Sequence, residues 1–476
     1  MKKILIYNWI AFDEKENKGG GVTVYTRNLI SHLSERGDWE VCFLSSGRAY
    51  DPSRRGTFIE SVENMLGDAC RSYQIVNSPV LSSARLSFPC PWIISKDTEL
   101  KKTVGKFLEK KKFDIVHFQN LEGLSLGVLE LKEQFPKTRF IYSLHNYYPF
   151  CPQVMLWKAD AENCGERDCG ACCIDCMPRD VHRWKVVFNQ WIAYRRHREG
   201  HVSPFWERLQ SVVEDGCGRY DRWRDGRIPE RKKVLLQKAF ERFRKDNVSH
   251  LNQYMDAILA VSQRTADIAL SFGVEREKLA VSYIGTEAAS RQRGTGAYPC
   301  VKDAFHICYL GYMRKVKGFF FLMDALEKLP PETAAKMKLT LAVKITDRET
   351  QARIESLRKT MAGIRVYDGY THEDLPEILT DVQLGIVPHL WEDNLPQVAI
   401  ELKAYGIPIL TSHLGGAKEL TLSKDFCFRA GDVEDFNEKL SAFTANPERL
   451  GEYWLGAPKL PTMEEHIEEL MKYYLG

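Results

Sequence analysis

The stretch "GIVPHLWEDNLPQVAIELKAYGIPILTSHLGGAKEL", Gly385 to Leu420, decides the fold. It opens on a short apolar run, crosses a polar loop, enters a helical pattern, returns to a second apolar run at Pro408–Ser412 and ends on the pair Gly415-Gly416. Strand, loop, helix, strand, loop is the unit of a parallel sheet, in which a helix must carry the chain back to the same edge. Asp393 and Glu401 are parted by seven residues around the start of this helix, and Pro396 stands in its first turn, where proline is tolerated. If both acids were helical, eight steps of about 1.5 Å would set the carboxylates on the order of 12 Å apart, about the reach from a nucleotide's ribose to a sugar on its diphosphate. The helix N-terminus between them offers free N–H groups and a positive dipole end, suited to that diphosphate.

Outward from this stretch the same alternation continues. Before it come His306–Tyr312, Leu339–Ile345 and Ile364–Tyr367, and earlier still Lys3–Ile10, Val41–Ser45, Asp114–Phe118, Arg139–His145, Ala257–Ser262 and Leu279–Thr286. After the first run, Val22, Tyr25, Leu29, Ile30 and Leu33 keep a helical spacing that begins directly behind Gly19-Gly20-Gly21. Between the two series lies the polar stretch Glu287–Tyr298, rich in Arg and Gly, which reads as a linker. The chain has 476 residues, beyond the roughly 250 to 300 at which one core stops growing, so two α/β domains of Rossmann-like type are expected. Their bounds are placed at 1–290 and 300–456.

Composition narrows the class. Hydrophobic residues at 44% and charged residues at 28% suit an ordinary globular protein and exclude disordered, collagen-like and membrane-embedded chains. The apolar run Ile4–Phe12 is too short for a spanning helix and lacks the cleavage site of a secretory signal, so a cytoplasmic location is expected. From Val181 to His250 there are 17 Lys/Arg against 9 Asp/Glu, or +8, which leaves −5 for the rest of a chain whose net charge is +3. This basic segment, about Pro178–Gln253, also carries Trp184, Trp191, Trp206 and Trp223 and reads as helical hairpins inserted into the first domain. Interleaved cations and aromatics suit nucleic acid, an anionic bilayer or a phosphorylated lipid. Solvated helices with their tryptophans packed inward are the favoured reading.

Of 13 cysteines, six crowd between Cys151 and Cys176: Cys151, Cys164, Cys169, Cys172, Cys173 and Cys176. Two Cys-x2-Cys spacings, Cys169/Cys172 and Cys173/Cys176, match a zinc knuckle or ribbon, and an iron–sulfur cluster also fits. All six are metal-ligand candidates for a structural zinc, with a loop of spare thiols as the alternative.

The Asp393–Glu401 segment resembles the E-x7-E region of the retaining glycosyltransferases of family 4, which have the GT-B fold. The likeness spans most of the chain, and it implies two Rossmann-like domains facing a cleft, with a Cys-rich and helical insertion at about 150–253. It further implies that Asp393 contacts the donor sugar and Glu401 the ribose, with Asn394 and Leu395 lining the donor between them, and that Gly415-Gly416 is the family's glycine turn. Asp393 departs from the usual glutamate, and Pro396 stands where the family often has glycine. "YLGYMRKVKG", Tyr309–Gly318, resembles a second motif, with Gly311, Lys317 and Gly318 matching and Tyr312 in the usual arginine position. Physically, a cation is needed where the diphosphate leaves; Lys317 is the first choice and Arg314 the second. His145 in "IYSLHNYYPFCP" resembles the histidine that faces the donor sugar, and it ends a strand, where open α/β sheets bind ligands. Gly20 and Gly21, with Gly19, resemble the loop that lets backbone approach the donor phosphate and acceptor. His117 also ends a strand, with a core role as reasonable as a functional one.

"PTMEEHIEELMKYYLG" resembles the helix, residues 457–476, that returns to the first domain. No D-x-D triplet occurs, so the transfer is expected to need no divalent cation and no cofactor beyond a nucleoside diphosphate sugar. The expected function is retaining transfer of a hexosyl or related group to a saccharide or lipid-linked acceptor of envelope or exopolysaccharide synthesis, with peripheral contact to an anionic membrane face and no nucleic acid partner. Two readings compete: an inactive glycosyltransferase-like binding module organised by the cysteines, and a redox or iron–sulfur protein resting on the cysteines alone.

Overall fold

In the computed structural model, which describes residues 1–14, 19–165, 170, 172–178, 180–223, 230–290 and 304–476, the apolar runs assemble into two parallel sheets. The first is built from β1 (Lys2–Tyr7), β2 (Trp39–Ala49), β3 (Phe58–Val62), β4 (Cys70–Val76), β5 (Ile115–Phe118) and β6 (Arg139–Leu144). A two-stranded hairpin, β7 (Trp157–Lys158) with β8 (Glu162–Asn163), follows, and β9 (Ala257–Ala260) and β10 (Leu279–Val281) complete the sheet. The strand order is β10-β9-β6-β5-β1-β2-β4-β3, parallel throughout except for the β3–β4 edge pair. The second sheet has the order β13-β12-β11-β14-β15-β16, all parallel, from β11 (Phe305–Leu310), β12 (Met337–Val343), β13 (Gly363–Asp368), β14 (Leu384–Val387), β15 (Ile409–Ser412) and β16 (Cys427–Phe428). This is the GT-B architecture.

In each sheet the strand order reverses direction at one place, between β1 and β5 and between β11 and β14. Ligands bind outside the carboxyl ends of strands at such switch points, because the loops there diverge to opposite faces and leave a crevice. The loops that leave β1, β5, β11 and β14 are therefore the ones that matter, and they carry Gly20, Gln119, Lys317 and Asp393.

The helix Gly20–Glu35 buries Tyr25, Leu29, Ile30 and Leu33 on the first sheet. Against it lies the last helix, Met463–Leu475, which is started by a capping box between Thr462 and Glu465 and buries Ile467, Leu470 and Tyr474. Tyr474 Oη meets His117 Nδ1 at 2.7 Å, and His117 Nε2 meets Ser143 Oγ at 2.8 Å. His117 is thus a buried strut between the first sheet and the returning helix.

The inserted segment differs from expectation in two parts. Helices Arg183–Glu199 and Pro204–Trp223 do form a hairpin, with the rings of Trp191 and Trp206 edge to face at 4.8 Å and Phe188 beside them. Trp184, however, is 58% exposed rather than packed inward. The side chain of Trp223 lies outside the described residues. The third helix, Glu230–Tyr254, is no surface appendage: Leu236, Phe240, Phe243 and Leu251 form a buried stripe down one face. Within the stretch read as linker, Glu287–Ser290 is a short helix, and residues 291–303 lie outside the described residues.

Candidate active site

The loop after β11 contains a single 3-10 turn, Lys315–Lys317, closed by Gly318 in the left-handed conformation (φ 73°). A Cβ at Gly318 would stand 1.7 Å from the carbonyl oxygen of Pro388, so only glycine lets this turn lie on the end of β14. The close approach aims Lys317 at the next loop, where its Nζ donates to Asp393 Oδ2 at 2.6 Å. Lys317 Nζ also stands 5.4 Å from the centre of the Trp391 ring. His389 Nδ1 lies 3.0 Å from the same Asp393 oxygen but without hydrogen-bond geometry, and it has no other partner among the described residues. Burial by itself would raise the Asp393 carboxyl; the Lys317 ammonium and His389 more than offset it and hold the group well below the usual carboxylate range. Burial and the Lys317 charge lower His389, so a neutral imidazole faces a carboxylate that stays ionised.

Asp393 is not helical. Pro396 is the N-cap (φ −68°, ψ 126°) and the helix runs Gln397–Ala404, so the two acids do not share a helix as the separation of about 12 Å assumed: Asp393 sits in the loop and Glu401 about one turn inside. The loop is shaped by the glycine pair. A Cβ on Gly415 (φ 71°) would meet Asp393 O at 2.3 Å, and one on Gly416 would meet Asn394 O at 2.2 Å. Gly416 N donates to Asp393 O at 2.9 Å, and Glu392 Oε2 accepts from Gly415 N at 2.9 Å. Asn394 is buried, and its Nδ2 has no partner among the described residues. Leu395 packs its side chain into the apolar core.

Glu401 is buried, and its Oε1 pairs with His372 Nε2 at 2.9 Å. That contact raises the His372 imidazole above its ordinary value. A raised His keeps the pair intact at low pH and releases it as pH climbs through the folded value, above about 6.5. Affinity for a ligand that needs Glu401 should therefore increase from pH 6 to pH 8, and His372→Ala should flatten the increase. Calorimetric titration with nucleoside diphosphates across that range checks it; an unchanged pH slope in the variant would discard this competition.

Across the cleft, His145 is half-buried, its Nε2 lies 2.9 Å from Gln119 Oε1, and its ring is 4.8 Å from that of Tyr25. Burial, with a smaller contribution from His466, pushes its imidazole down to about 3, so it is neutral at any working pH. Among the described residues Gln119 Nε2 has no partner, nor does Nδ2 of Asn8 at the end of β1. Beside them the Glu122 carboxyl is raised by burial to about 7, although it accepts from Ala84 N at 2.5 Å and Asn146 Nδ2 at 3.0 Å.

The two halves meet directly. Gln397 Nε2, at the start of its helix, donates to Gly21 O at 2.7 Å, and a Cβ on Gly21 would stand 2.8 Å from that side chain. Gly20 takes φ 57°, with no atom of the described residues within 4 Å of where a Cβ would stand. Ser262 Oγ donates to Asn394 O at 2.6 Å, Arg264 pairs with Glu392 at 2.5 Å, and Glu419 accepts from the first two amides of the helix Gln263–Ser271. Arg314 is exposed at the rim, next to Tyr312, and Gly311 takes φ 138° at the end of β11.

The arrangement joins a lysine–carboxylate pair at one switch point, a second buried acid behind a helix N-terminus, and a neutral histidine opposite. Residues 304–446 match the family model described as glycosyl transferases group 1, and residues 19–172 match that of glycosyltransferase family 4. The chain belongs to the family 4-like glycosyltransferases. Spore coat protein SA of Bacillus subtilis (strain 168) is 26% identical over 159 residues, which span 31% of this chain and 42% of that protein. Among solved structures, sucrose-phosphate synthase from Thermosynechococcus elongatus shares the fold at TM-score 0.57, with 13% identity over 100% of this chain and 98% of that one. HepE of Anabaena in complex with UDP gives TM-score 0.57 at 12% identity, covering 99% of each chain. The lipopolysaccharide outer core galactosyltransferase WaaB, in its apo form, gives TM-score 0.56 at 12% identity over 100% and 99%.

This family 4-like glycosyltransferase holds no metal-ligand set among its described residues: no three His, Cys, Asp or Glu side chains stand where one ion could take them together. Cys151, Cys164, Cys172, Cys173 and Cys176 thus do not form the expected site by themselves, and Cys169 lies outside the described residues. No helix among the described residues is long and apolar enough to cross a membrane. His372, His389 and Gln119 were not singled out in the sequence, because each is an isolated polar residue until the fold sets it against Glu401, Asp393 and His145.

Proposed function

We propose that the enzyme transfers a sugar, with retention, from a nucleoside diphosphate sugar to an acceptor held by the first domain. The observation that carries this reading is the Lys317–Asp393 contact at the β11/β14 switch point, directly before the helix that bears Glu401. Glu401 is assigned to the ribose hydroxyls, the amides at the start of its helix and Lys317 to the diphosphate, and Asp393 to hydroxyls of the donor sugar. As the glycosidic bond breaks, negative charge grows on the diphosphate oxygen, and a preplaced ammonium stabilises it more than it stabilises the ground state. His145, neutral and oriented by Gln119, is a hydrogen-bond partner for the sugar on the opposite side. No carboxylate is placed as a covalent nucleophile in this reading, which leaves the departing phosphate oxygen to take the acceptor's proton on the same face. HepE has been crystallised with UDP-glucose, which supports a donor of this class.

A thermal-shift panel of nucleoside diphosphates and their sugars tests the donor site. A ligand at 100 times its dissociation constant adds about 2.7 kcal/mol, several degrees for domains of this size. One base should stabilise the native chain and not Glu401→Ala; a panel without any stabilising member overturns the reading.

Lysine and amide groups supply the charge stabilisation in this scheme, so transfer should persist in excess EDTA. A loss of more than about tenfold that added Mg²⁺ or Mn²⁺ restores would assign the leaving group to a metal instead.

For the acceptor, we propose a lipid-linked saccharide at an anionic membrane face. Trp184 (58% exposed), Phe205 (66%) and Leu235 (64%) project from the inserted helices. The +8 segment that holds them supplies the complementary charge. The protein should float with vesicles containing anionic lipid, and Trp184→Ser/Phe205→Ser should sink; equal flotation with neutral vesicles counts against this acceptor.

A further inference from the structure

The Cys-rich segment has no part in the chemistry above, yet it reaches the loops that perform it. Val316 and Trp391, which belong in sequence to the second domain, are 3% and 9% exposed because they pack in the first domain's apolar cluster, together with Cys151, Leu156 and Trp157. Two polar ties reinforce this contact: Asn163 Nδ2 donates to Leu390 O at 2.8 Å, and Lys315 Nζ donates to Asp160 O at 3.0 Å. The segment therefore grips both catalytic loops, one next to Lys317 and the other next to Asp393. Between them stands Trp391, with its ring under the Lys317 ammonium and its carbonyl accepting from Asp393 N at 2.8 Å.

The backbone of the segment is locally strained. Val154, Leu156, Ala159 and Asp160 have φ of 67°, 50°, 49° and 53°, four left-handed non-glycine residues within seven positions. Each costs an L residue conformational free energy, and β-branched Val154 most of all. Such strain persists only where the surroundings over-determine it, and it gathers where a fixed geometry is used. Here it is pinned by local bonds. Tyr147 N donates to Val154 O at 3.1 Å, Cys164 N to Leu156 O at 2.7 Å, and Ala159 N to Cys176 Sγ at 3.3 Å. Trp157 Nε1 donates to Asp160 Oδ1 at 3.1 Å. The product is a rigid hairpin, β7–β8, whose tip crosses to the second domain.

We infer that the β7–β8 hairpin is a positioning element for the donor site: it fixes the Leu390–Asp393 turn, and through Trp391, as a positioning residue, it fixes Lys317. The inference rests on the proposed role of Lys317, so its test includes a readout independent of activity. In the double variant Asn163→Ala/Lys315→Ala, hydrogen–deuterium exchange of peptides spanning residues 388–395 should accelerate by about tenfold with the thermal midpoint near native, because only the local opening equilibrium changes. Its kcat should fall by about tenfold, while the acceptor KM stays put. Trp391→Ala should show the same pattern more strongly, and Trp391→Phe, which keeps a ring under the ammonium, should recover most of the rate.

Native exchange at residues 388–395 in both Asn163→Ala/Lys315→Ala and Trp391→Ala would overturn the inference, whatever the rates. Faster exchange in a chain that turns over no nucleotide sugar would support the hairpin's hold on the loop and overturn the transfer reading alone.

Discussion

Lys317→Met should lower kcat by about 10² to 10³ while the enzyme still binds its donor, the range seen when one preorganised charge-stabilising donor is removed from an active site. Two effects are superposed in this variant, and they separate by pH and by a second substitution. The first is loss of the cation that meets the leaving diphosphate. The second is structural: Asp393, with a side chain 11% exposed, loses the ammonium 2.6 Å away and keeps only an imidazole that burial holds neutral. Breaking a buried pair from one side costs about 3–5 kcal/mol, and the 26% exposure of Lys317 brings the expected loss nearer about 2 kcal/mol.

The sign of the pH dependence follows from the depressed Asp393 carboxyl. Its contribution is present above the ordinary carboxylate value of about 3.9 and fades as pH falls through the lower folded value. The stability gap between native and Lys317→Met should thus be widest near neutrality and narrow below pH 4, where the unpaired carboxyl of the variant is protonated. Lys317→Met/Asp393→Asn should recover much of the midpoint and none of the rate. Steady-state kinetics at saturating donor and thermal unfolding at several pH values measure both. Retention of kcat within about threefold in Lys317→Met would remove the lysine from the chemistry.

The parts of this fold that could be read in the sequence are those that repeat a local pattern. Short apolar runs bounded by turn residues mark most of the parallel strands of both sheets to within a few positions, since such strands are buried on both faces and carry no alternation to confuse, whereas β16 (Cys427–Phe428) is too short to leave a run. The β3–β4 edge pair was missed: Phe58–Val62 is a five-residue strand with no fully buried member, and in β4 Arg71, Ser72 and Gln74 interrupt the apolar run. Glu230–Tyr254 was read as surface because its charges dominate the composition, although Leu236, Phe240, Phe243 and Leu251 recur at helical spacing and mark a buried stripe. Of the site, Lys317, Asp393, Glu401 and His145 were recognisable because motifs surround them. The histidines that tune the acids were not, because a hydrogen bond between residues as far apart in sequence as Glu401 and His372 leaves no trace in either segment. The cysteines show the converse: their spacing is conspicuous, yet among the described residues it assembles no ligand set.

Gly318→Ala should be the most damaging single-methyl change in the second domain. At φ 73° an alanine pays for the left-handed region, and its Cβ would lie 1.7 Å from Pro388 O, far inside any tolerable contact distance. A rotamer change cannot relieve the overlap, because Cβ is fixed by the backbone, and the obstacle is backbone rather than the end of a flexible chain. Either the 3-10 turn Lys315–Lys317 or the end of β14 must move. Leu390 N donates to Val316 O at 2.9 Å, so the two loops would separate together with the Lys317–Asp393 contact they support.

The expected cost is about 3 kcal/mol or more, a drop in midpoint of roughly 6–12 °C for a domain of this size, together with a rate no better than that of Lys317→Met. Gly20→Ala is the control: its φ is also positive, at 57°, but nothing among the described residues lies within 4 Å of the added methyl, so only the conformational cost of about 1–2 kcal/mol is expected. Differential scanning calorimetry of both variants separates strain from collision. If Gly318→Ala unfolds no earlier than Gly20→Ala, the two loops are not in the contact described, and the path by which Lys317 reaches Asp393 must be different.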